Sequence, residues 1–275
     1  MKPLIPWFEV PILEIPIGSF TLPLHGFGML VALGFMVGGQ VSMGRARRLG
    51  LDPNLINRLI GWLVLGTFVG GHVGYGLLYK PDEYFADPMQ FLYAWQGLSS
   101  FGGFAVCVPL AIWFFRKEKV NTWAYLDCLA VGMTVGWFFG RMGCFVAHDH
   151  PGTVTNFWLG VYGTCPGDPS RAVACHDMGL YEAIWSLLMF GLFSLWDRRP
   201  LVPGALVTAL GLAYAPARFA MDFLRPEVND ARYGGLTPAQ WGCIVLLFAS
   251  AAALGQRLRS GEPRLVAPSG EPKPA

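Results

Sequence analysis

Five ionisable residues stand inside segments otherwise apolar enough for lipid: Asp127, Arg141, Glu182, Arg218 and Asp222. Charges at membrane depth are costly, so each needs a partner or a task. Arg141 lies in FFGRMGCF and Arg218 in APARFAMDFLRP, each toward the outer end of its segment. Two guanidinium groups on separate helices suit a shared anion. Their planar forks match phosphate, and a phospholipid headgroup is the anion available at that depth. Asp222 and Arg225 follow Arg218 by four and seven residues, on roughly the same helical face. The competing reading is an Arg218–Asp222 ion pair that only holds a bundle together. Glu182 opens another apolar segment and is a candidate partner for an arginine. Asp127, at a helix start, is favourable there without any function.

Histidines and carboxylates gather just beyond Arg141 in sequence. His148, Asp149 and His150 follow it closely, and His176 and Asp177 precede the segment holding Glu182. A histidine beside a carboxylate suits general-base work near neutral pH. The His-x-His spacing also invites a metal, but no third and fourth ligand accompany it at metal-site spacing, so no metal is expected. A solvated loop is the plainer alternative. Gly102, Gly103 and Gly143 lie in the same outer layer. Such residues permit close helix packing, and the Gly102–Gly103 pair at a helix start could also turn amides toward an anion.

The elements that must position these groups follow from composition and hydropathy. Only 14% of residues are charged and 53% are hydrophobic, with mean hydropathy +0.43; a soluble domain has about 25% charged. No basic block with interleaved aromatics points to nucleic acid. Apolar runs predict an all-α polytopic membrane protein with about seven transmembrane helices, near 24–43, 56–79, 98–115, 122–147, 178–196, 202–223 and 236–256. Residues 1–23, with five prolines, read as an arm on the membrane surface. No secretory signal peptide is expected. The tail 257–275 is polar and Pro-rich and reads as disordered.

Lysine and arginine alternate between loops. Arg45, Arg47 and Arg48, then Arg116, Lys117 and Lys119, then Arg198 and Arg199, then the tail lie on one side. That bias predicts an outside N-terminus and a cytoplasmic C-terminus. The longest connection, 148–177, then lies outside as a small cap. Its Cys165 and Cys175 could pair there or remain free thiols; spacing does not decide.

Several segments, taken in order, resemble the prolipoprotein diacylglyceryl transferase family: LHGFGMLVALGF (24–35), GGHVGYGLLYKPDEYFADPMQFLYAWQGLSSFGG (70–103), FFGRMGCF (138–145), LYEAIW (180–185), RFAMDFLRPE (218–227) and TPAQW (237–241). The resemblance implies a bacterial inner-membrane enzyme. It would move the diacylglyceryl group of phosphatidylglycerol onto the lipobox cysteine of a preprolipoprotein, releasing glycerol 1-phosphate. No cofactor is implied. Arg141 matches the signature arginine expected at the lipid headgroup, and Arg218 a second functional arginine. Asp222 stands at a family glutamate, and Asp149 near another acidic position. The departures are Phe101 for the usual histidine, Cys144 for the signature asparagine, Phe27 for a tyrosine and His72 for an arginine. His148, Asp149, His150 and His176 are the groups that could supply the base Phe101 cannot. The alternatives are an inert relative that binds lipid or lipoprotein precursors, and a small-solute transporter. The chain shows no inverted repeat for the latter.

Overall fold

A computed structural model describes residues 2–17, 20–93, 97–226 and 232–265, apart from a few side chains that include those of 100 and 101. Each expected span coincides with one helix: α1 (Gly26–Arg48), α2 (Pro53–Tyr79), α4 (Ser100–Lys117), α5 (Thr122–Ala147), α6 (Met178–Trp196), α7 (Ala205–Asp222) and α8 (Pro238–Arg259). A short α3 (Pro81–Ala86) and a 3-10 turn (Pro88–Leu92) join α2 to α4. Five of these helices, α1, α2, α5, α6 and α8, are long and apolar enough to cross a membrane. The chain is a mostly helical, multi-pass membrane protein. Large apolar side chains on α6 and α8, among them Leu188, Leu192, Val245 and Phe248, are exposed, as lipid-facing positions are.

The expectation of a purely helical fold needs correcting at two places. Part of the N-terminal arm forms a hairpin, with β1 (Leu13–Ile17) antiparallel to β2 (Phe20–Leu24). The long connection folds as a three-stranded antiparallel sheet ordered β3 (Pro151–Val154), β5 (Ala174–Asp177), β4 (Val161–Tyr162). Strands of two to four residues carry too little alternation to be read from sequence. The tail also differs: α8 continues to Arg259, Arg257 is buried and donates to the Pro203 carbonyl at 2.8 Å, and Leu265 bridges Leu201. Residues 266–275 lie outside the described part.

The contacts divide the chain into two compact units. One holds residues 42–130, 199–215 and 230–275. Its core is Ala46, Leu55, Ile56, Leu59, Phe114, Phe115, Tyr125 and Cys128. Here α2 and α4 cross so closely that a Cβ on Gly102 would lie 2.2 Å from the Gly70 carbonyl oxygen. Ser99 caps α4, accepting from the Gly102 amide at 3.3 Å, and its own carbonyl takes the Gly103 amide at 3.0 Å. The two amides proposed for anion binding are therefore engaged in the cap, and Gly102 is required by packing. Buried His72 bridges the carbonyls of Gly97 and Gln90, tying the loop to α2. Asp127, fully buried, reaches from α5 to accept the Gly204 and Val207 amides at 2.8 and 2.9 Å. It caps another helix, α7, rather than its own.

The other unit holds residues 1–41, 131–198 and 216–229. The first turns of α1 cross α5 through glycines; a Cβ on Gly34 or Gly38 would lie 2.7 or 2.8 Å from the carbonyl oxygens of Gly136 and Gly132. Gly143 belongs to the same seam, against Phe27. Packing accounts for a glycine there. In the cap, Cys165 and Cys175 form a disulfide. The bond closes a loop of about ten residues, so its loss should cost the cap about 2–4 kcal/mol by chain entropy. Cys165→Ser/Cys175→Ser should raise amide exchange across 161–177 while leaving α5 and α6 protected. Unchanged exchange in the cap would show that the sheet holds without the bond.

Candidate active site

Arg141, Glu182, Arg218 and Asp222 come together in the second of these units, from the end of α5, the start of α6 and the end of α7. All four are buried, with exposures of 7, 2, 7 and 1%. Local folding explains how they meet. Asp177 caps α6 by accepting the Leu180 amide at 2.9 Å. Gly179 then lies so close to α5 that a Cβ there would be 2.7 Å from the Phe145 amide nitrogen and 3.0 Å from the Arg141 carbonyl oxygen. Only a glycine lets α6 begin against the backbone of α5. One turn later on the same face comes Glu182.

The Glu182 carboxylate divides itself between two arginines. One oxygen lies 3.0 Å from Arg141 Nε, and the other 3.3 Å from Arg218 Nε. Trp137, one turn before Arg141, lies under its guanidinium at 4.7 Å from the ring centre, and its indole N–H reaches Glu182 at 3.4 Å. Arg218 also pairs with Asp222 at 2.7 Å, and Arg225 approaches the same Asp222 oxygen at 3.8 Å. The arginines thus do share an anion, but it is the protein's own carboxylate, and the Arg218–Asp222 pair is one link of a longer chain. Three guanidinium groups and two carboxylates thus form one network of ion pairs, and guanidinium forks suit a phosphate.

The rim residues separate into two sets. After α5, His148 adopts a left-handed backbone, φ +52°. Such a residue ends a helix and reverses the chain. Its imidazole turns to the N-terminal arm, where Nε2 meets the Phe8 carbonyl at 2.9 Å and the ring stacks on Trp7. His148, expected as a base, also fastens the arm through Nε2. The same reversal brings Asp149 and His150 back beside Cys144. Asp149 and His150 are in direct contact, and the ligating atoms of all three residues lie within 4.8 Å of one another. Cys144 Sγ is 3.8 Å from Arg141 Nη1, which joins this corner to the arginine cluster. His176 bonds the Tyr181 hydroxyl at 2.7 Å and packs on Phe157. Burial holds its pKa below the usual histidine value.

A family model described as prolipoprotein diacylglyceryl transferase matches residues 15–255. The chain belongs to that family. Its relatives include proteins named phosphatidylglycerol–prolipoprotein diacylglyceryl transferase from three bacteria. The one from Chromohalobacter salexigens is 31% identical over 250 residues, covering 89% of this chain and 91% of the relative. Those from Azotobacter vinelandii and Solidesulfovibrio magneticus are 28 and 30% identical, over 93 and 80% of this chain and 97 and 84% of their own. In this member of the prolipoprotein diacylglyceryl transferase family, Cys144 occupies the corner between the arginines and the rim. The Phe101 side chain lies outside the described part.

Gly179 was not anticipated from sequence, although a glycine one turn before an intramembrane glutamate was a usable signal. Asp177 also gained significance from the structure. It is buried, its Oδ2 has no hydrogen-bond partner, and burial, with Asp149 adding to it, pushes its pKa up to about 7. A carboxyl raised in the folded state binds more protons folded than unfolded. Its contribution is therefore greatest below the ordinary carboxyl value and is lost as pH rises toward 7. Cap stability, followed by amide exchange of 174–182, should decline from pH 4 to 7. Asp177→Asn, which keeps an N-cap acceptor, should flatten that decline. An unchanged slope in the variant would assign it to another group.

Proposed function

We propose that this protein transfers the diacylglyceryl group of phosphatidylglycerol to the lipobox cysteine thiol of preprolipoproteins, within the bacterial cytoplasmic membrane. The observation that carries the reading is the buried cluster of Arg141, Glu182, Arg218 and Asp222, joined through Cys144 to Asp149 and His150, in a chain of this family. The acceptor sulfur forms a bond to the glycerol carbon that carries the phosphate ester. The C–O bond breaks, its electron pair leaves on the phosphate oxygen, and glycerol 1-phosphate departs. Charge thus grows on the phosphate as the reaction proceeds, and fixed guanidinium groups stabilise that growth more than the starting ester. Arg141 and Arg218 hold the phosphate, Arg225 and Asp222 orient Arg218, and Glu182 sets the spacing of the two arginines. The thiol loses its proton at the Asp149–His150 corner.

The same proposal includes seven spans, with α4 and α7 completing the five apolar helices. The N-terminus is outside and the C-terminus cytoplasmic. The loop cations support this orientation, and so does a disulfide in the cap, since such bonds persist on the oxidising side. Both substrates then enter from the bilayer at its outer face. A transporter reading gains nothing from the geometry, because Arg141, Glu182, Arg218 and Asp222 pair with one another and Asp127 caps α7. The reading as an inert binder has one specific observation in its favour, the replacement of polar family positions by Phe27 and Cys144.

The deciding experiment supplies purified protein with phosphatidylglycerol and a lipobox peptide and follows the mass of a thioether product. Product from wild type is expected. Its absence from folded protein that still binds phosphatidylglycerol would replace the enzyme with the inert binder.

A further inference from the structure

We propose that Trp137 is a positioning residue for the transfer reaction: it fixes the orientation in which Arg141 offers its guanidinium to the phosphate of the lipid. This deepens the transfer reading above and rests on it. Trp137 and Arg141 are four residues apart on α5 and so lie on one face of that helix. The Arg141 guanidinium carbon lies 4.7 Å from the centre of the Trp137 ring. The indole N–H reaches Glu182 Oε2 at 3.4 Å, and Arg141 Nε lies 3.0 Å from the same oxygen. One side chain therefore touches both members of a buried ion pair, Arg141 through its ring face and Glu182 through its edge.

The chemistry of the guanidinium makes that double contact directional. Its N–H donors all lie in its plane, and its two faces carry none. An electron-rich ring attracts such a face, most strongly where both groups are out of water. Arg141 is buried. Its Nε is directed at Glu182, and its Nη1 stands 3.8 Å from Cys144 Sγ, so an edge and a face of the group are both specified. Arg141 brings its charge whatever lies beneath it. Trp137 adds orientation, set before the lipid arrives and without a further charge or proton. Orientation is what the transition state uses: misplacing a catalytic group by about 1 Å can cost about 10²-fold. Leucine at this position has neither ring face nor N–H. Phenylalanine keeps the face and loses the N–H.

The test measures single-turnover transfer by the full-length protein, with phosphatidylglycerol and a lipobox peptide. Trp137→Leu is expected to slow transfer about tenfold at saturating lipid, with the half-saturating lipid concentration changed less than about threefold. Trp137→Phe is expected to fall between Trp137→Leu and wild type. In an Arg141→Lys background, which has no fork to align, Trp137→Leu is expected to cost less than about twofold. A second readout is spectroscopic and keeps Trp137 in place. In protein carrying fluorinated tryptophan, the Trp137 fluorine resonance is identified by its absence from Trp137→Phe. That resonance is expected to move on addition of phosphatidylglycerol, and to move in Arg141→Lys. Equal losses from Trp137→Leu in the wild-type and Arg141→Lys backgrounds overturn the proposal and make Trp137 a packing residue. A Trp137→Leu protein that transfers at the wild-type rate overturns it too, as does a resonance unmoved in Arg141→Lys. Wild-type protein that makes no thioether, while the resonance still moves with phosphatidylglycerol, overturns the transfer reading instead and leaves Trp137 holding a lipid-binding arginine.

Discussion

Arg141→Ala lowers the rate of diacylglyceryl transfer by about 10²–10³-fold, the loss typical of one preorganised donor at a centre of developing charge. Arg141 is the side chain common to both halves of the site: it holds Glu182 at 3.0 Å and touches Cys144 at 3.8 Å. On the proposed reading, its removal takes away a charge that holds the departing phosphate and loosens the rim corner as well. Arg141→Lys recovers little. A lysine ammonium is a point charge and cannot serve Glu182 through one edge while presenting a fork to phosphate. The measurement is single-turnover transfer with saturating lipid and peptide. A lysine variant within about threefold of wild type would mean that charge alone suffices, and would remove the fork from the mechanism.

Glu182→Ala acts on stability more than on chemistry. Two guanidinium groups at 7% exposure lose the carboxylate between them. Removing one partner of a buried ion pair costs about 3–5 kcal/mol, because a charge is left uncompensated. Arg218 keeps Asp222 at 2.7 Å. Thermal unfolding in detergent should therefore show a large drop for Glu182→Ala, a smaller one for Glu182→Gln, and partial recovery when Glu182→Ala is combined with Arg141→Met. If the double variant is no more stable than the single, like-charge burial is not the cause. Added phosphatidylglycerol should raise the unfolding temperature of wild type, since ligand binding stabilises the folded state.

The helices were legible because a lipid-facing segment must be apolar along its whole length, which is a strong and local signal. Arg141, Arg218 and Asp222 were legible for the converse reason, as charges where lipid penalises them, and Arg225 by its helical spacing from Arg218. Glu182 was ambiguous because its role depends on which face of α6 meets α5. That is decided at Gly179, by a backbone approach no hydropathy window records. His148 and His150 are chemically alike and two positions apart, so spacing could not say that the reversal at His148 turns one to the arm and the other toward Cys144. Cys144 stood out only as a departure from the family. Its neighbours Asp149 and His150 become neighbours in space only once the chain reverses. In the other unit, Gly102 offered two readings from sequence, and the cap by Ser99 removed one of them.

Asp127 carries a consequence for biogenesis. Its carboxylate is fully buried, yet its partners, the Gly204 and Val207 amides, are made 77 and 80 residues later. Chains emerge from the ribosome N-terminus first. During synthesis α5 must therefore wait with a carboxylate whose bonding partners do not yet exist. Until then only the charge of Arg45, made earlier, favours that carboxylate, and burying it without its amide donors would be costly. The final seating of α5 is therefore coupled to the arrival of α7, and the cap and α6, which lie between them in the chain, are translated in that interval. The last step of assembly that this bond imposes is a late tightening of an early helix, so a nascent chain arrested before residue 204 would expose its α5 start to water-soluble probes that the finished protein excludes.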